Sequence, residues 1–166
     1  MKNQNILTAK QFIQKVFIND IDRLIQAELY HFAFIIMAQG LETLGSFLDS
    51  KPLKARDQSK LRFSHAINRL MPRQYAQINN NHRLYDQLRA SLAHTFTSGK
   101  YVYLTHIAEP EFGKKHLSED KEKLILVAEV FYSDFKKACL RLFEGMEKGI
   151  ITEKKIKETF YYTFNN

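Results

Sequence analysis

Leu29-Tyr-His-Phe-Ala-Phe-Ile-Ile-Met-Ala-Gln-Gly-Leu-Glu-Thr-Leu-Gly-Ser-Phe-Leu48 decides the fold of this chain. Phe32, Phe34, Ile35, Met37, Leu41, Leu44, Phe47 and Leu48 leave almost no polar face on a helix, and a helix apolar nearly all round belongs at the centre of a domain. The stretch is not a membrane span. Its most apolar part, Leu29–Leu41, includes His31 and Gln39 and is shorter than the ~20 residues a bilayer requires. Glu42 is able to orient a site residue, but it reads first as a buried structural carboxylate.

A central helix needs others around it. Thr8 and Gln11 have capping-box spacing, and Phe12, Ile13, Val16, Phe17, Leu24 and Ile25 follow at helical intervals, which predicts a helix from about residue 8. A third helix is expected over about 57–71, through Leu61, His65, Asn68 and Leu70, and Pro72 ends it. A fourth runs from about Asn80 to Phe96 and stops near Gly99. Ser118 is placed to cap a long helix reaching about Lys148, with Leu124, Val127, Phe131, Phe135, Ala138 and Leu142 as its apolar stripe. A short last helix is expected over 152–160. Tyr101–Thr105 is too rich in strand formers for helix, and Pro110 and Gly113 offer a turn, so a short β-hairpin is expected near 101–117. The predicted fold is all-α: one domain over 1–166, an up-and-down bundle of four to five helices with that hairpin inserted.

Length and composition agree. At 166 residues, 45% hydrophobic and 26% charged, the chain can build one real core and is not a disordered sequence. Cys139 is the single cysteine, so no intrachain disulfide forms. The first residues lack the apolar core of a signal peptide, and the expected location is cytoplasmic.

The net charge of +7 is concentrated. Residues 51–100 hold ten basic side chains (Lys51, Lys54, Arg56, Lys60, Arg62, Arg69, Arg73, Arg83, Arg89, Lys100) against Asp57 and Asp86, while the two flanks are close to neutral. A concentrated positive field attracts polyanions, so RNA or a phosphorylated ligand is the expected partner. Charge alone is equally compatible with a basic surface that only aids solubility.

Within this window, Arg89 and His94 lie on the fourth helix. With six His in the chain, a His spaced so from some Arg is expected about once by chance, so the setting must carry the argument. Leu84, Leu88, Leu92 and Phe96 form an i, i+4 ladder facing the core. At ~100° per residue, Arg89 lies about 80° and His94 about 140° from the ladder's centre. The arc between them carries Asp86, Ala90, Ala93 and Thr97, short residues that let a second backbone approach, as a twofold contact between two copies would require.

This segment resembles the R-x4-6-H motif of the HEPN superfamily of small helical domains. The resemblance implies a bundle of about this length, pairing of two protomers through the 80–97 helix, and a shared cleft lined by Arg89 and His94. Many members are metal-independent ribonucleases, others are binding modules, and a small protein partner is common in such systems. The residue after the arginine, usually polar in active members, is Ala90 here, so a non-catalytic nucleotide-binding or interaction module on the same fold stays open, as does a helical scaffold. If the site is catalytic, His94 exchanges the proton of a ribose 2′-hydroxyl and Arg89 stabilises the phosphate charge. Arg62, Arg69, Arg83 and Lys100 are the expected phosphate contacts, and Tyr85 a stacking platform, with Tyr75 and Phe96 as further aromatics of the window, although core packing is the default for each of the three.

No cofactor or metal site is expected. Glu28-x-x-His31 has di-iron spacing but lacks a second such pair, no H-E-x-x-H or C-x-x-C occurs, and Gly99-Lys100 lacks the rest of a phosphate loop. Cys139 reads as a small core hydrophobe. The other histidines have no spacing that argues for a site.

Overall fold

Thr8 begins the first helix as its spacing with Gln11 predicts: its side chain accepts the Gln11 N–H at 3.1 Å, and Gln11 Oε1 accepts the Thr8 N–H at 3.0 Å. The computed structural model of the chain describes residues 6–157. Helix α1 covers residues 9–26, and its middle, Ile13–Asp20, is π-helical. Strand β1 (Ile6–Leu7), just before it, pairs antiparallel with β5 (Ile156–Lys157), which joins the two ends of the described chain.

Helix α2 (Tyr30–Ser46) is the buried centre. Ala33, Phe34, Met37, Leu41 and Leu44 are sealed from solvent, although Phe32, expected in the core, is 53% exposed. Helix α3 (Ser59–Arg69) crosses α2 where Gly45 meets it. A Cβ at Gly45 would lie 1.8 Å from the Arg62 carbonyl oxygen, so only glycine permits this approach. After Pro72 the chain forms α4 (Arg73–Ile78), a short helix the sequence reading does not anticipate. Helix α5 occupies residues 80–95 in a 3-10 turn, a π-helical turn and a closing α-turn. Helix α6 (Ala128–Glu147) packs Phe131, Phe135, Ala138 and Leu142 into the core, with Phe131 stacked on Phe34 at 5.8 Å.

Three expectations require correction. The long helix starts at Ala128, not Ser118, and the segment before it is extended: β3 (Glu119–Asp120) and β4 (Lys123–Val127). Leu124 and Val127 therefore belong to a strand. Their three-residue separation fits a helical stripe, but Leu124, Ile125, Leu126 and Val127 are all buried, the pattern of a strand covered on both faces. The hairpin at 101–117 is not formed either. β2 (Val102–Thr105) pairs with β4 in parallel, Val102 opposite Leu124 and Thr105 opposite Val127, and β3 adds antiparallel on the other side. The protein is thus α+β rather than all-α, with six helices, a small three-stranded mixed sheet and the β1–β5 pair among the described residues. Finally, 152–157 is non-helical and ends in β5, and the remainder of the helix expected over 152–160 lies outside the described residues. Among the described residues, no helix is long and apolar enough to cross a membrane.

A polar chain ties the sheet to the helices. His116 Nδ1 accepts the Val127 N–H at 2.9 Å, where β4 passes into α6. The proton of the neutral ring therefore sits on Nε2, which donates to the Tyr75 hydroxyl oxygen at 2.8 Å, and that hydroxyl donates to Asp134 at 3.1 Å. Each partner uses the proton the previous one supplies. Burial lowers the His116 pKa to about 4 despite the opposing pull of Asp134. Burial, reinforced by Asp134, also raises that of Tyr75.

Candidate nucleic-acid interface

Arg89 and His94 share α5, but the helix between Leu84 and His94 departs from regular 100° steps. Tyr85–Ala90 is π-helical, which widens the turn, and Ser91 Oγ closes it by donating to the Asp86 carbonyl at 2.9 Å. The wider turn still buries Leu84, Leu88 and Leu92. It does not carry the ladder to Phe96, which takes a left-handed conformation (φ 57°), ends the helix and is 62% exposed. Helix α5 therefore stops at Thr95, before Gly99. Gly99 is needed for a different reason: its N–H donates to the Gln87 carbonyl at 2.7 Å, and a Cβ there would clash with the Gln87 side chain.

Arg89 is half-buried and forms an ion pair with Glu42 on α2, Nη2 to Oε2 at 2.6 Å. Ser59, at the start of α3, donates to the other oxygen of Glu42 at 2.8 Å. The guanidinium also lies 5.7 Å from the Tyr85 ring centre, and Tyr85 packs edge-on against Phe63. Three helices thus hold one cation. The ion pair is close but poorly aligned: Arg89 Nε and Glu42 Oε2 are both buried without a directed hydrogen bond. Asp86, three residues before Arg89 on the same helix, pairs with Lys60 at 3.0 Å, and Lys60 also sits 5.4 Å from the Tyr85 ring.

His94 has a different setting. It is exposed, and among the described residues no hydrogen bond or ion pair engages its ring. Ala90 and Ala93 are partly covered and Thr97 is exposed, so the small-residue arc lies at the surface.

The expected phosphate contacts separate. Arg62 faces inward and is only 3% exposed. It donates to both oxygens of Asp49, at 2.8 and 3.3 Å, and to the carbonyls of Leu53 and Pro52 at 2.6 and 2.7 Å, so it is a structural cation and not a surface contact. Arg83 pairs with Glu119 at 2.5 Å. Arg69 is exposed, with only a 3.4 Å approach to the Leu48 carbonyl, and Lys100 is exposed over the Tyr101 ring at 4.6 Å. Tyr85 presents part of its ring beside Arg89, while Tyr75 is fully buried.

Glu42 is the residue that sequence reasoning underweighted. A signal was present, since it is the only Asp, Glu, Lys or Arg between Leu29 and Leu48. A lone carboxylate in a buried helix requires a cation. Among the described residues no three His, Cys, Asp or Glu side chains are grouped to hold a metal ion. The chain matches no family model, no curated protein and no solved structure.

Proposed function

We propose that this chain is a HEPN-like RNA-binding protein in which two copies of α5 face each other and Arg89 with His94 line a cleft that cleaves single-stranded RNA. The observation that carries this reading is the contrast on one helix. Arg89 is held in place by Glu42, Ser59 and Tyr85, while His94 stands in solvent with its ring unengaged among the described residues. A positioned guanidinium supplies the charge that phosphodiester chemistry needs, and an exposed imidazole is accessible as a general acid or base.

In the proposed reaction the ribose 2′-oxygen attacks the adjacent phosphorus while an imidazole accepts its proton. The bond from phosphorus to the 5′-oxygen breaks, and the leaving oxygen takes up a proton. The products are a 2′,3′-cyclic phosphate and a 5′-hydroxyl end. Arg89 stabilises the charge that grows on the phosphate oxygens. DNA, without the 2′-hydroxyl, is spared.

A second reading has its own support. Ala90 stands where active members of the HEPN superfamily, which this segment resembles, usually carry a polar residue, and Glu42 already neutralises Arg89, as suits a module that binds RNA without cutting it. His94→Ala separates the two. It should abolish cleavage by at least ~10²–10⁴-fold with RNA binding nearly intact, and Arg89→Lys should fail as well. Wild-type protein that binds RNA but never cuts it at any pH from about 6 to 8 establishes the module instead.

A further inference from the structure

We propose that the groove between residues 47–53 and 150–155 is a binding site for a nucleoside phosphate, separate from the Arg89 region. The groove has a volume of about 720 Å³, within the range of small-molecule sites. Its floor is apolar, built by Phe47, Leu48, Leu53 and Ile151. Its rim is cationic: Lys51, Arg69, Lys154 and Lys155 line it against a single carboxylate, Asp49. Asp49 is already committed to Arg62 and Lys154, at 2.8 and 3.1 Å. An apolar floor beside Lys51, Arg69 and Lys155, which have no carboxylate partner among the described residues, fits a ligand with a flat body and an anionic group.

The walls are fixed before any ligand arrives. Arg62 holds one wall from below through the Pro52 and Leu53 carbonyls. Lys154 ties it to the other through the Lys51 carbonyl at 2.6 Å and the Ser46 carbonyl. The opposite wall leaves α6 through a left-handed Gly149 (φ 68°), with Ile150 N–H returning to the Gly145 carbonyl and Gly149 N–H to that of Met146. This helix-ending turn directs Ile150 and Ile151 to the groove. Preformed walls reduce the ordering cost of binding.

Charge pairing elsewhere favours this location. Four cations of the basic window are engaged by carboxylates: Lys60, Arg62, Arg83 and Arg89. Among the described residues, Lys51, Lys54, Arg56, Arg69, Arg73 and Lys100 have no such partner, and two of these, Lys51 and Arg69, line the groove. Arg69 ends α3, whose first residue, Ser59, contacts Glu42. At 1.5 Å per residue the groove cation is about 15 Å along that helix from the Arg89 pair.

Titration calorimetry with adenosine 5′-diphosphate at about 50 mM salt tests the site, since low salt preserves phosphate contacts. Saturable binding below ~1 mM is expected. The exposed pair Arg69→Glu with Lys155→Glu should weaken it at least ~10-fold, and Arg89→Ala should leave it unchanged. Inorganic pyrophosphate, which has no flat body, should bind more weakly than the nucleotide. The proposal is overturned by absence of saturable binding, by unchanged affinity in the double variant, by loss of binding in Arg89→Ala, or by pyrophosphate binding as tightly as the nucleotide. RNA cleavage can fail without touching any of these outcomes, so the two readings stand or fall separately.

Discussion

Replacing Asp49 with Ala should destabilise the protein far more than a surface substitution would. The Arg62 side chain is 4% exposed and that of Asp49 14%, so the pair is withdrawn from bulk water. The carboxylate meets the guanidinium at 2.8 and 3.3 Å, and two backbone carbonyls satisfy further donors. Without Asp49, a buried guanidinium keeps its charge and is left, among the described residues, with carbonyl dipoles alone, a change that typically costs about 3–5 kcal/mol. For a domain with ~5–15 kcal/mol in total, that is a large share, and at ~2–4 °C per kcal/mol it lowers Tm by about 6–20 °C. Urea and thermal unfolding followed by circular dichroism read both quantities. Arg62→Glu should fare no better, so any RNA-binding defect it shows is a folding defect. Arg62→Met combined with Asp49→Leu should recover part of the loss, because neither charge is then left alone. Burial opposes the Asp49 charge, but hydrogen bonds from Arg62 and Lys154 outweigh it and hold the carboxyl at about 2. The carboxyl is therefore less readily protonated in the folded state. Its contribution is present above the ordinary value of 3.8 and is lost as pH falls from about 4 toward 2. A cost for Asp49→Ala under ~1 kcal/mol, the range of exposed pairs, refutes the account of Arg62 as a buried structural cation.

His116 should dominate a different pH window. Its pKa, about 4 in the fold against an ordinary 6.5, means the unfolded chain takes up the proton first, so stability should fall as pH drops from about 6.5 to 4. The loss should be no more than ~3 kcal/mol, less what partial access to water screens, and it should vanish in His116→Leu. Gly45→Ala should cost at least ~1–3 kcal/mol by forcing α2 and α3 apart, and denaturant melts that coincide with wild type would contradict the close crossing. Glu42→Gln keeps a hydrogen-bonding group but removes the charge that holds Arg89. RNA binding should be unchanged or tighter while cleavage falls ~10-fold or more, and a parallel loss of both would mark Glu42 as merely structural. Ala93→Arg should convert a dimer to a monomer in light scattering at micromolar concentration, and an unaltered mass would remove the twofold cleft.

Local signals in the sequence were reliable where the physics is local. The Thr8–Gln11 capping box needs only four residues, and the apolar stripe from Phe131 to Leu142 repeats often enough to exclude another period. The failures involve partners distant in the chain. Leu124 to Val127 is short and wholly apolar, and only its pairing with Val102–Thr105 reveals a strand. Phe96 continues the i, i+4 ladder in the sequence, yet the π-turn and a left-handed residue release it to solvent. Arg62 and Arg69 are both basic residues of one helix, and only the fold buries the first and exposes the second.

The same distinction applies to the site. A charge window counts cations by their place in the chain, whereas carboxylates reach them in space. Asp49, Glu42 and Glu119 come from outside the basic window to neutralise Arg62, Arg89 and Arg83. Among the described residues the cations of the window without a carboxylate partner accordingly include Lys51, Lys54, Arg56 and Arg69, whereas Arg89 is paired. Neutralisation does not remove Arg89 from chemistry, however. A guanidinium carries five N–H donors, and the Glu42 contact is made through Nη2. With Ser59 engaging the other carboxylate oxygen and Tyr85 beside it, the pair fixes where the guanidinium sits; Nε is buried, so in the proposed reaction a phosphate would meet the terminal nitrogens. In the proposed function, position at Arg89 and long-range attraction elsewhere on the surface are therefore separate tasks, given to different cations of the same basic segment.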